Sequence, residues 1–198
     1  WLDRWPDEIH GVMVANELLD AIPVDLLRWD GQQWLQRGVG LDAQGELVFV
    51  DRAGDARPPL PMEADAGFVP GTVTEIHPQA EAFVRTLAER LKRGAAFLID
   101  YGFPESEYYH PQRHVGTVMC HQGHQADSDP LTAVGDKDIT AHVDFTGIAL
   151  AGQDAGLHVL GYTSQARFLI NCGLLGLSDQ ASVAQRAGVQ SIDAAELA

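Results

Sequence analysis

Two apolar runs, each ending on an acid, constrain this chain more than any other feature. Val12-Met13-Val14-Ala15 leads into Asn16-Glu17-Leu18-Leu19-Asp20-Ala21-Ile22-Pro23, and Ala95-Ala96-Phe97-Leu98-Ile99 leads into Asp100-Tyr101-Gly102. Short continuous apolar runs fit strands buried on both faces, as in parallel sheets covered by helices. In such sheets the carboxyl ends of the strands carry the chemistry. If these two strands are parallel neighbours, their acids converge on one acidic crevice.

The sequence between the runs changes period. Val24 to Trp29, Gln33 to Val39 and Glu46 to Val50 read as strands, separated by Asp30-Gly31 and by Asp42-Ala43-Gln44-Gly45. Asp-Gly between such runs is a hairpin signal, so an antiparallel β-meander insertion is expected over about 24–50. A loop rich in Pro and Gly follows from Ala53 to Pro70 and is expected to lack regular structure. Phe83, Val84, Leu87, Ala88 and Leu91 then recur at helical spacing, with Gly94 as the expected terminator. That helix feeds the second apolar run, which allows a right-handed crossover between the two strands.

Downstream, Asp144 is expected to cap a helix over Phe145 to Ala155, ahead of a strand around Leu157 to Gly161. Thr163 or Ser164 would cap a short helix from Gln165 to Cys172. The alternation is that of an α/β fold. The stretch from Phe103 to Val143 shows little periodicity and carries His110, His114, His121, His124 and His142, so it is expected to be irregular and functional.

The 198 residues, 45% of them hydrophobic, suffice for one domain with a full core. A net charge of −15, from 28 acids against 13 Lys and Arg, opposes binding to nucleic acid or to an anionic membrane surface. It suits a cationic substrate, and equally a solvated acidic surface. Cys120 and Cys172 have no paired spacing, and no apolar run approaches the roughly 20 residues of a membrane span, so a reducing, cytoplasmic setting is the default expectation. The opening on Trp1, close to the first strand, suggests a piece of a longer protein.

Among the polar candidates, Glu17 and Asp20 are three residues apart and would share a face if a helix follows Asn16; a simple turn or cap is the equal alternative. Asp100-Tyr101-Gly102 gains weight only from being the neighbouring strand end. His121-Gln122-Gly123-His124, beside Cys120, lacks the second ligand pair of a structural zinc site, and no metal is expected. Asp138 and His142 are candidates for substrate contact, whereas Asp144 is more simply a cap. Gly38-Val39-Gly40 is not followed by a helix and fails as a nucleotide loop, and neither a phosphate loop nor a nucleophile elbow occurs.

Taken in order, these motifs resemble a known family. Val14-Ala15-Asn16-Glu17-Leu18-Leu19-Asp20-Ala21-Ile22-Pro23, Phe97-Leu98-Ile99-Asp100-Tyr101-Gly102, Gly116-Thr117-Val118, His124 with Asp129-Pro130-Leu131, and Asp138 through Phe145 are followed by Thr163-Ser164-Gln165 and Phe168-Leu169. The series is similar to the MidA family of S-adenosylmethionine-dependent methyltransferases, whose mitochondrial members act on an arginine of a respiratory complex I subunit. The resemblance implies the C-terminal part of a Rossmann-like class I methyltransferase fold, as a single incomplete domain over 1–198. Val12 to Ala15 would be its fourth strand and Ala95 to Ile99 its fifth, with the glycine-rich cofactor loop and first strands absent and His121 standing where a Tyr is expected.

The roles implied are catalytic for Glu17 and Asp20, which would hold the arginine and take its proton, and cofactor-binding for Asn16. Asp100, Tyr101, His124, Asp138 and His142 would bind substrate. The cofactor would be S-adenosylmethionine and the partner a protein with a cationic acceptor, a homodimer being compatible with the same reading. A non-catalytic assembly factor that docks a basic segment in the acidic crevice is the rival, ahead of a hydrolase built on Asp100 and His142, which lacks a nucleophile.

Overall fold

The computed structural model describes residues 4–123 and 125–177. The chain packs as two units, Trp1–Val159 and Leu160–Ala198. Along the first run β1 (Ile9–Asn16), β2 (Asp25–Trp29), β3 (Trp34–Leu41), β4 (Leu47–Ala53), β5 (Val73–Ile76), α1 (Pro78–Arg90), β6 (Leu91–Ile99), β7 (Gly102–Phe103), α2 (Glu105–Tyr108), β8 (Met119–Gln122), β9 (Gln125–Asp127), β10 (Asp138–Thr140), β11 (Val143–Asp144) and α3 (Phe145–Asp154). In the second unit lies α4 (Gln165–Asn171), capped by Ser164, whose hydroxyl accepts from Arg167 N.

The two apolar runs pair as parallel neighbours, Val12 opposite Ala95 and Asn16 opposite Ile99, so both strands end at one level. β6 starts earlier than its apolar run. Gly94 therefore lies inside the strand and does not terminate α1, which ends at Arg90 and passes into β6 without a loop. Its φ is +142°, and a Cβ there would lie 1.7 Å from the Gly11 carbonyl oxygen; glycine is required by the close approach of the strands.

Helix α1 packs on β6, and α3 packs on α1; the expected burial of both faces does not hold, since Val12 and Val14 are exposed. Pro78 occupies the first turn of α1, where a missing N–H has no intrahelical partner to lose. Ala80, Val84 and Leu87 then point inward, and Ala80 and Val84 join Leu19, Val143 and Ile148 in one core, against which Leu98 and Ile22 pack. Asp144 caps α3, accepting from Thr146 N at 3.0 Å.

The meander forms a separate antiparallel sheet of order β4-β3-β2-β5. Its fourth strand returns after the Pro-rich loop to lie beside β2, with Leu27 opposite Thr74. Leu27, Trp29, Trp34 and Phe68 form a second core beneath it. A 3-10 turn (Met62–Gly67) within that loop supplies Asp65, which accepts from the Trp34 indole at 3.0 Å.

The 3-10 turn also corrects the expectation that the loop from Ala53 to Pro70 lacks regular structure, and two further expectations need correcting. The stretch from Phe103 to Val143 is largely built, holding α2, a three-stranded sheet of order β10-β8-β9 and the strands β7 and β11, which pair in parallel. Elements of two to four residues are too short to show a period in sequence. Leu157 to Gly161 is not a strand: Leu157 N turns back to the Gly152 carbonyl at 2.9 Å and its side chain packs on the first core. Among the described residues no helix is long and apolar enough to cross a membrane.

Candidate active site

No helix follows β1. Glu17 donates its N–H to the Ile99 carbonyl at 2.8 Å and takes a φ of +47°, a left-handed conformation uncommon outside glycine and frequent at functional sites. The next three amides, Leu18, Leu19 and Asp20, all donate to Oδ2 of Asp100, at 3.1, 2.9 and 3.2 Å. Oδ1 of Asp100 accepts from Tyr101 N at 2.9 Å. Successive N–H groups curl around an anion in this way, and the carboxylate at the end of β6 thereby shapes the chain leaving β1. The expected helical face shared by Glu17 and Asp20 does not form: Glu17 is exposed and Asp20 is 5% exposed.

Asp20 is the centre of the group. Its Oδ2 accepts the Tyr101 hydroxyl, and its backbone carbonyl accepts from Ala141 N at 3.0 Å. Its Oδ1 is buried without a hydrogen-bond partner, which is costly for a polar atom unless a ligand or water completes it. Burial, and then the bond to Asp20, push the Tyr101 phenol up to about 12. Burial also raises Asp100, against the pull of its backbone donors.

The ring of His142 stands edge-on to Tyr101 and Phe103, with centroids 5.2 and 5.1 Å away. Burial lowers its pKa, and so does Arg113, whose guanidinium lies 3.9 Å from the Phe103 ring centre. Nδ1 of His142 is buried and unpartnered. Its backbone N–H donates to the Thr117 hydroxyl at 3.1 Å, and Thr117 is bonded in turn to Glu75. Glu75, 1% exposed, was not legible as a site residue: Val73-Thr74-Glu75-Ile76 carries nothing but the alternation of a short strand.

The structure thus brings together Asp20, Asp100, Tyr101 and His142, with Glu17 and Asn16 exposed at the end of β1. Asp138 is exposed on β10, in register with His121, and lies outside this bonded group. His124 lies outside the described residues. Among the described residues no cluster of His, Cys, Asp and Glu is arranged to hold a metal ion.

A family model described as "Putative S-adenosyl-L-methionine-dependent methyltransferase" matches residues 1–163. The chain belongs to that family. A Burkholderia thailandensis protein crystallised with S-adenosyl-homocysteine is 49% identical in sequence and superposes with a TM-score of 0.86 over 93% of this chain and 48% of its own. A ligand-free structure from the same organism is 48% identical, with a TM-score of 0.82 over 93% of this chain and 50% of its own. Two curated relatives are the protein arginine methyltransferase NDUFAF7 homolog, mitochondrial, of Caenorhabditis elegans and NDUFAF7, mitochondrial, of Rattus norvegicus. The first is 26% identical over 87% of this chain and 39% of its own length, the second 29% identical over 83% and 36%.

The chain therefore spans about half the length of the solved relatives and less than two-fifths of the curated ones. It has the α/β fold of this methyltransferase family, whose methyl donor is S-adenosylmethionine. The site suits a positively charged ligand. The buried, unpartnered Oδ1 of Asp20 and the exposed carboxylate of Glu17 are acceptors, a chemistry that fits cationic groups.

Proposed function

We propose that this protein transfers a methyl group from S-adenosylmethionine to an arginine side chain of a protein substrate. The observation that carries the reading is the buried Asp20 carboxylate, one oxygen fixed by Tyr101 and the other without a hydrogen-bond partner, at the carboxyl end of a parallel strand pair. The names of the NDUFAF7 relatives support arginine as the acceptor, and a complex I subunit as its bearer follows from the MidA resemblance. In this reading β1 and β6 take the places of the fourth and fifth strands of a Rossmann-like sheet. In the same reading the glycine-rich cofactor loop lies in the part of the relatives that this chain does not span.

A guanidinium is protonated at physiological pH and has no free lone pair. Carboxylates that accept its N–H groups hold it in plane and localise its charge, leaving one nitrogen to react. Asp20 Oδ1 and Glu17 form this clamp and take up the proton the alkylated nitrogen releases. Asp100 positions the clamp through the three amides it holds, and Tyr101 sets the orientation of Asp20. Asn16 faces the donor side, while His142 closes over the acceptor. S-adenosylmethionine, when bound, supplies the electrophilic methyl carbon; orientation of the acceptor supplies much of the acceleration.

The test is calorimetric titration of S-adenosylmethionine into this chain and into a version extended to the length of its relatives, followed by methyl transfer to an arginine-containing peptide. Donor binding and transfer in the extended form, with transfer reduced at least tenfold by Glu17→Gln, are expected. Peptide binding with no donor binding in either form would replace the reading with an assembly factor that docks a basic segment.

A further inference from the structure

We infer that Glu75 on β5 is a positioning residue: its buried carboxylate latches the Gly116–Val118 segment and, through Thr117, holds the backbone of His142 so that its ring stands against Tyr101 and Phe103. Acids are almost never fully buried unless paired, yet the partners Glu75 has are amides and hydroxyls. Oε1 accepts Thr117 N at 2.7 Å and Val118 N at 3.2 Å. Oε2 accepts the Tyr108 hydroxyl at 2.9 Å and the Thr117 hydroxyl at 3.2 Å. Hydrogen bonds to an ionised acceptor are roughly twice as strong as neutral ones.

The segment so held has little structure of its own. It lies between α2 and β8, and its neighbours are tied to β5 by the Val73–Val115 bridge and by Val73 N donating to the His114 carbonyl at 3.0 Å. Gly116 has a φ of +74°, and a Cβ there would come 2.4 Å from Oε1 of Glu75, so the backbone wraps closely on the carboxylate. The Thr117 hydroxyl donates to Glu75 while accepting from His142 N at 3.1 Å. A line of hydrogen bonds thus runs from the meander sheet to the backbone amide of His142, whose ring stands edge-on to Tyr101. The Glu75 charge also favours protonation of His142, opposing the effects of burial and Arg113.

The consequence for substrate rests on the arginine methyltransferase reading; the latch itself does not. Amide exchange by NMR on this chain separates the two. Thr117→Val deletes only the bridging hydroxyl and should speed exchange at His142 about tenfold while the Thr117 and Val118 amides stay slow. Glu75→Gln retains an acceptor for those amides and removes the charge, so their exchange should hold while the titration midpoint of His142 falls. Unchanged exchange at His142 in Thr117→Val, or Thr117 and Val118 amides that already exchange fast in the wild type, would overturn the latch. In the extended enzyme Thr117→Val should raise the KM for an arginine peptide several-fold, with a smaller change in kcat and none in donor affinity. A wild-type protein without transfer activity would refute the methyltransferase reading and leave the exchange result to decide the latch.

Discussion

The hydroxyl of Tyr101 donates to Oδ2 of Asp20 across a separation of 81 residues, joining the turn after β1 to the end of β6. It is the hydroxyl donor to a carboxylate whose other oxygen is buried and without a hydrogen-bond partner. Tyr101→Phe should therefore destabilise the chain by about 1–3 kcal/mol, the cost of a buried polar group left unpaired. Urea unfolding at neutral pH measures this, and a loss below a few tenths of a kcal/mol would mean that solvent replaces the phenol. With its pKa raised to about 12, the phenol contributes stability below the ordinary value of 10.0 that disappears as pH rises through 12. Asp20→Asn should bring that midpoint down, as read by NMR of carbon-labelled tyrosine.

Asp100 is the anchor of the turn that carries Asp20. Asp100→Ala leaves the amides of Leu18, Leu19 and Asp20 without their acceptor and should cost on the order of 2–4 kcal/mol. Asp100→Asn keeps one carbonyl oxygen and should recover about half of the loss. Faster amide exchange confined to residues 18–20 in Asp100→Asn would support this role; uniform exchange across the unit would argue that the carboxylate serves global packing instead.

The adjacency of the two strands was readable because an apolar run ending on an acid is a tertiary signal as well as a local one. Capping of α3 by Asp144 and of α4 by Ser164 was readable for a similar reason, since an Ncap depends on its own side chain and the next turn. The turn after Asn16 was not. Three consecutive amides curl there around a carboxylate 80 to 82 residues away, so spacing within the segment could not distinguish this from a helix. Glu75 escaped for the same reason: its partners Tyr108, Thr117 and Val118 lie 33 to 43 residues downstream, and nothing in a four-residue strand announces them. Gly94 looked like a helix terminator because the residue it must avoid, Gly11, is remote in sequence.

Leu19 ties the site to the core. It is 2% exposed, packed among Ala80, Val84, Val143 and Ile148, and flanked by two of the amides held by Asp100. Leu19→Ala should cost about 2–5 kcal/mol, the transfer free energy of the lost side chain plus that of an unfilled cavity. Chemical denaturation gives the number. Leu19→Met keeps the volume and should cost less than about 1.5 kcal/mol; equal losses in the two variants would show that side-chain shape, and not burial, fixes this turn.

His77 and Asp144 make opposite demands on pH from one small cleft. They line a cavity of about 150 Å³ with Arg57, Glu81 and Tyr109. Burial lowers His77 from 6.5 to about 4, so its stabilising contribution is complete above pH 6.5 and is lost as pH falls through 4. Burial raises Asp144 from 3.8 to about 6, so its contribution is complete below pH 3.8 and is lost as pH rises through 6. The two slopes oppose each other between pH 4 and 6, so their contributions largely cancel there. Removing one reveals the other: His77→Gln should become more stable on acidification across this window and Asp144→Asn less, each by up to about 1.4 kcal/mol per pH unit. Asparagine still caps α3, so the Asp144→Asn curve reports the lost titration without loss of the helix end. Unfolding free energies measured at half-unit steps decide the matter, and two variant curves running parallel to the wild type would show that neither group titrates differently in the folded chain.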